Sequence, residues 1–220
     1  MTNPPPPVQR LRLTFSKTGD ARYIGHLDLA RFWERVFRRV DLPLAYSHGF
    51  NPQPRIQFAS ALPVGIAGER EMLDVWLTQR VNPDDWVTPI ARNLPSGFSI
   101  IDLKEVPLKL PAMQASLQRA IYRVCWQELP QEELTTRIEQ LLAQDRIPRP
   151  HFKRPHKIYD LRPRIIHIEP LANMPGCVRM ELLAGPQTNA RISEVIDALG
   201  LADVPHTIVR ERLIFEDSEL

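Results

Sequence analysis

The sequence predicts an α+β protein built from two successive β-α-β-β-α-β units. Three observations carry this expectation. Short stretches alternate apolar and polar residues with a period of two, the stretches between them switch to a helical period, and a proline-flanked break at Pro107 to Pro111 is followed by the same order of elements again. The units are assigned to residues 8–106 and 112–216.

From Val8 to Lys17, Leu11, Leu13 and Phe15 fall on one side and Arg10, Arg12 and Thr14 on the other, the pattern of a half-buried strand. Thr18-Gly19-Asp20 is a turn. From Asp28 the period lengthens: Leu29, Phe32, Trp33, Val36, Phe37 and Val40 share a helix face opposite Arg31, Glu34, Arg35, Arg38 and Arg39. That helix stops near Asp41, before Pro43. Leu44 to Tyr46 and Ile56 to Ala59 flank the loop Ser47 to Pro54, where Gly49, Pro52 and Pro54 exclude regular structure. Glu71 to Leu77 alternates as a strand, Asn82 and Pro83 open a helix reaching Asn93, and Phe98 to Val106 returns as a strand.

The second unit repeats the order. Gln114 to Glu128 reads mostly as a strand, Pro130 to Ala143 as a helix, and Lys157 to Leu171 and Val178 to Ala184 as strands. Asn189 is placed as the cap of a helix through Leu199, ended by Gly200, and Thr207 to Phe215 closes the unit. The order is that of two tandem ferredoxin-like (βαββαβ) domains, with antiparallel sheets, helices on one face and the other face open for binding.

With 43% hydrophobic and 25% charged residues, the composition is that of a globular protein, and 22 prolines against 9 glycines imply stiff connections. No apolar run approaches the roughly 18 residues of a membrane span, so no membrane partner and a cytoplasmic location are expected. Cys125 and Cys177 show no CxxC spacing, which predicts reduced, buried thiols. Glycine-rich phosphate motifs, HExxH and CxxxCxxC are absent, so no cofactor is expected, and His26, Asp28 and His48 lack metal-ligand spacing, so no metal site is expected.

The net charge of +2 is unevenly distributed. Arg146, Arg149, Lys153, Arg154, Lys157, Arg162 and Arg164 face only Asp160 across 146–164, a local charge of +6 that leaves the rest of the chain at −4. His151, Phe152, His156 and Tyr159 are interleaved, offering rings for unpaired bases while the cations hold phosphates. This proline-stiffened segment, read as a loop between a helix and a strand and joined by Arg22 and Arg55, is the candidate RNA-binding element, with single-stranded RNA expected rather than DNA. The arginine face of the first helix reads as solvated surface. A second candidate is catalytic: His26 as general base, with Tyr23 beside it and Lys17 or Arg22 stabilising a phosphorane, would suffice for metal-independent RNA cleavage. His48, Gly49, Phe50, Asn51 and Gln53 form a shaped loop suited to a partner.

The segments RYIGHLDL, LPLAYSHGFNPQPRIQFASALPVGI and EMLDVWL, followed by KIYDLRPRIIHI and RERLIF, resemble the radical-SAM-linked protein family, the DUF2344 domain. Arg22, Tyr23, His26, Asp28, Gly49, Phe50, Asn51, Pro52 and Pro54 match its pattern, whereas Gln53 and His48 depart from it. The resemblance implies a partner protein carrying the radical-SAM chemistry. The reading expected first is an RNA-binding or substrate-presenting accessory protein. A metal-independent endoribonuclease and a protein-binding adaptor without RNA affinity are the alternatives.

Overall fold

The structure, a computed structural model, describes residues 4–151 and 154–216, and the chain divides into two compact units, Met1–Ser116 and Leu117–Leu220. Each is mixed α+β, and every strand pairing described within a unit is antiparallel.

The first unit contains β1 (Gln9–Lys17), α1 (His26–Arg39), β2 (Ile56–Phe58), β3 (Ala67–Leu77), α2 (Asp84–Ala91), β4 (Phe98–Val106) and one helical turn, α3 (Met113–Ser116). Its strands lie side by side as β4-β1-β3-β2. The alternation in β1 places Leu11, Leu13 and Phe15 fully out of solvent in one cluster with Trp33 and Phe37 of α1, and the Phe15 ring meets Trp33 edge-on at 4.8 Å. Each such side chain contributes about 1.5–3 kcal/mol on burial. Helix α1 begins at His26, two residues before the predicted start. It ends where Asp41 adopts a left-handed φ of 57°, which lets Leu42 N donate to Phe37 O at 3.0 Å and Asp41 N to Arg38 O at 3.1 Å.

The opposite face of this sheet is not the open surface that the alternation predicts. Arg10 and Arg12 are each 1% exposed, and Thr14, Asp74 and Trp76 are buried beside them. Asp74 stands across from Arg12 in the ladder and accepts from Arg12 Nε at 2.8 Å and Arg10 Nε at 2.9 Å. Arg10 also donates to Leu110 O at 2.6 Å, and Gln114 Nε2 donates to Phe58 O at 2.8 Å. Residues 107–116 therefore run across this face from β1 to the β2 edge. Two guanidiniums on one carboxylate leave a buried excess of positive charge, and Arg12 Nη1 has no hydrogen-bond partner among the described residues.

The second unit contains β5 (Leu117–Trp126), α4 (Gln131–Leu142), β6 (Pro148–His151), β7 (Arg154–Asp160), β8 (Ile165–Pro170), β9 (Cys177–Leu183), α5 (Ile192–Ala198) and β10 (His206–Phe215). Four of these strands lie as β10-β5-β9-β8, while among the described residues β6 and β7 pair only with each other. With the β6–β7 hairpin set aside, both units share one arrangement: last strand, first, third, second.

Three expectations are corrected here. The single strand predicted over Lys157 to Leu171 is two, β7 and β8, because Arg162–Arg164 forms a tight 3-10 turn around Pro163, which has no N–H for a ladder. The cap of α5 is Arg191, without a side-chain bond, while Asn189 lies earlier in a bridge to Ala184. Cys125 and Cys177 are not reduced thiols but a disulfide, since the β5–β9 register sets them directly opposite with Cα atoms 4.1 Å apart. On the same face, Arg119 meets Glu181, Arg123 and Arg179 meet Glu211, and Arg179 also meets Glu169. Three arginines of that face, Arg119, Arg123 and Arg179, thus meet carboxylates of their own unit.

Candidate nucleic-acid interface

The basic segment folds as the β6–β7 hairpin rather than as a loop, with Arg149 opposite Tyr159. Pro148, Pro150 and Pro155 are tolerated because both strands of a two-stranded ribbon are edges. Its base is fastened at several points. The Asp160 carboxylate accepts from the backbone N–H of Ile147 at 2.8 Å and of Arg162 at 3.0 Å, closing the ends of the ribbon together. The Ile147 amide, foremost, holds that carboxyl below its ordinary range, helped by the Arg162 amide and by Arg146 and Arg162. Arg149 pairs with Asp197 of α5 at 2.8 Å, and the Tyr159 hydroxyl donates to Glu194. Burial, then the Glu194 carboxylate, push the Tyr159 hydroxyl up to about 12, so it stays a donor at neutral pH.

This anchoring divides the seven basic residues. Arg149 is paired; Arg162 donates to Leu142 O at 3.3 Å; Arg164 donates to Asn189 O at 2.7 Å and lies 3.8 Å above the Tyr159 ring. Tyr159 is thereby covered by Arg164 on one face and hydrogen-bonded through its hydroxyl, while its ring also lines a cleft. Arg146 is exposed, 3.8 Å from Asp160. Arg154 and Lys157 project into solvent without a side-chain partner among the described residues, beside exposed His156 and Ile158. Lys153 and Phe152 lie outside the described residues.

At the hairpin's foot, His151, Tyr159, Arg164, Gln187, Asn189 and Glu194 line a cleft of about 380 Å³. Gln187 and Glu194 were not singled out in the sequence, and Asn189 only as a helix cap. The signal that points to Gln187 and Asn189 is the GPQTN turn before α5, which becomes meaningful only once β7 is known to lie over that helix.

In the first unit the residues proposed for catalysis differ in exposure. His26 is the exposed first residue of α1, its ring 5.2 Å from Phe58. Tyr23 is exposed, and Arg22 donates to its hydroxyl at 2.9 Å. Lys17 is fully buried and donates from Nζ to Ile24 O at 2.7 Å, bracing the turn that delivers α1. Across the ladder from Lys17 is Gly68, where a Cβ would lie 2.5 Å from Cγ of the buried Glu71. The site needs glycine so that Glu71 can fold back. Lys17 is thus a buried brace and not a cation presented to a substrate. Arg55 is exposed with its guanidinium 5.1 Å from the Trp76 ring, and Arg22 lies 4.9 Å over Tyr23.

The loop from Ser47 to Pro54 closes on itself: Ser47 N donates to Gln53 O at 2.8 Å, Gln53 N to Ser47 Oγ at 3.0 Å, and Tyr46 bridges Pro54. Gly49 takes a φ of 130°, and Phe50 is 92% exposed between His48, Asn51 and Gln53, all exposed. On the outer face of α1, Arg31 lies 3.4 Å from Asp28 and Arg38 2.9 Å from Glu34, while Arg35 and Arg39 are exposed without a side-chain partner among the described residues.

Fold and surface together define a two-unit α+β protein carrying an anchored basic hairpin. The chain belongs to the family described as "Uncharacterized protein conserved in bacteria (DUF2344)", whose model matches residues 10–192. No curated protein matches it. Among solved structures it is similar to a chain of "Crystal Structure of a Cbf5-Nop10-Gar1 Complex", at 13% identity and a TM-score of 0.49, over 94% of this chain and 50% of that one. It spans half the length of that relative.

Proposed function

We propose that this chain is an RNA-binding accessory protein, built of two ferredoxin-like domains, that holds single-stranded RNA on the β6–β7 hairpin beside a radical-SAM modification enzyme. The strand order repeated in both units supports the domain reading. The observation that carries the RNA reading is the division of charge: the hairpin's base is fixed by Arg149, Tyr159 and Asp160, while Arg154 and Lys157 stay free to meet phosphates. The sheet face of the second unit is a poorer RNA surface, because Arg119, Arg123 and Arg179 there already meet glutamates. Exposed Phe50, Leu27, Tyr23 and Val64 on the first unit support a protein contact there, the surface assigned to the radical-SAM partner.

The test is salt dependence. Full-length protein binding a single-stranded oligoribonucleotide should lose affinity linearly in log salt, and Arg154→Gln with Lys157→Gln should flatten that slope by roughly 1–2 units, at about 0.7 per phosphate contact. An unchanged slope removes the hairpin from the interface. Catalysis by His26 finds less support, since Lys17, one of the two cations expected beside it, is buried against Ile24, which leaves Arg22 for that part.

A further inference from the structure

We infer that the first unit carries a separate site for a phosphate monoester with an organic body, such as a nucleoside monophosphate, in the cleft between α1 and the end of α2. The cleft is about 440 Å³, within the roughly 300–1,000 Å³ usual for small-molecule sites. Its polar rim is Arg35, Arg39 and Arg92, and its floor is Phe32, Val36 and Leu94. No acidic side chain lines it.

Three features distinguish this cleft from ordinary basic surface. The first is that its cations are uncommitted. Arg31 and Arg38 on the same helix are paired with Asp28 and Glu34, whereas Arg35, Arg39 and Arg92 are exposed with no side-chain partner among the described residues. The second is convergence from two elements: Arg35 and Arg39 are one turn apart on α1, and Arg92 is the C-cap of α2. Helix C-termini attract arginine on their own account, but two of them supply only about half a negative charge each, which leaves roughly two positive charges unanswered. A phosphate monoester near neutral pH carries about that charge in the opposite sense. The third is the floor. Phe32 is stacked on Phe98 at 4.4 Å and Val36 is buried in the core, so the apolar surface is fixed and can seat a flat or apolar body while the guanidiniums fork onto the phosphate.

The site is distinct from the hairpin, and its test does not depend on RNA binding. Uridine monophosphate, uridine and inorganic phosphate are titrated into full-length protein by calorimetry. The nucleotide should bind at least 10-fold tighter than either fragment, because only it engages both rim and floor. Arg39→Gln and Arg92→Gln should each weaken it roughly 10-fold or more, as expected for loss of a hydrogen-bonding charge, while Arg31→Gln, of equal charge change outside the cleft, and Lys157→Gln on the hairpin leave it unaltered. Both cleft residues are exposed, so the variants retain the fold. A 5′-phosphorylated oligoribonucleotide that binds more tightly than its 5′-hydroxyl form, with the difference abolished by Arg92→Gln, identifies an RNA end as the source. Equal binding of the two, with the mononucleotide still bound, identifies a free nucleotide. No nucleotide binding at millimolar concentration, or binding indifferent to both cleft variants, overturns the inference even where the hairpin binds RNA.

Discussion

Strand β1 and the β6–β7 hairpin are both rich in arginine, yet they use it in opposite ways. In β1, Arg10 and Arg12 converge on Asp74 out of solvent, and Arg10 also holds residues 107–116 against the sheet. In the hairpin, Arg149, Arg162 and Arg164 fix the base, and Arg154 and Lys157 stand clear of it. The difference teaches that a count of basic residues says little about binding. What matters is how many cations the chain leaves without an internal acceptor.

The comparison is broken most forcefully at Asp74. Asp74→Ala strands two buried guanidiniums, and chemical denaturation should show a loss of about 3–5 kcal/mol. A loss under 1 kcal/mol would mean the β1 charges are hydrated and the contrast with the hairpin is false. Next is the disulfide in the hairpin's own unit. Cys125→Ser with Cys177→Ser should cost about 2–4 kcal/mol by relaxing the unfolded chain, and should leave RNA affinity unchanged because the bond lies on β5 and β9, away from the hairpin. The smallest effect is local. Because the folded-state value of Asp160 is depressed, its stabilising contribution is present above the ordinary carboxylate range and disappears as pH falls through the depressed value. Protection of the Ile147 and Arg162 amides from exchange, relative to their intrinsic rates, should therefore fall in Asp160→Ala at neutral pH, and in the native chain only in acid. Equal exchange in variant and native protein would detach Asp160 from the hairpin's closure.

What could be read in the sequence follows the same division. The helix side of β1 was legible because Leu11, Leu13 and Phe15 alternate, and α1 because its apolar residues recur every three to four positions. The far side of β1 was not, since its cover comes from about a hundred residues later, and no local period reports that. The hairpin was hidden by its own prolines, which argue against strands everywhere except at edges. The disulfide was hidden because a separation of 52 residues carries no register. Within the site, the bias of 146–164 was visible, but not which cations would be committed: that required knowing that α5 supplies Glu194 and Asp197 beneath the hairpin.

The central claim is that Arg154 and Lys157 are the free cations through which this chain holds RNA. Affinity of the full-length protein for a single-stranded oligoribonucleotide, measured across a salt series for the native chain and for Arg154→Gln/Lys157→Gln, tests it most directly. The account predicts unchanged stability, within about 0.5 kcal/mol, together with a slope flattened by roughly 1–2 units. A stable variant whose slope and affinity match the native chain would contradict it.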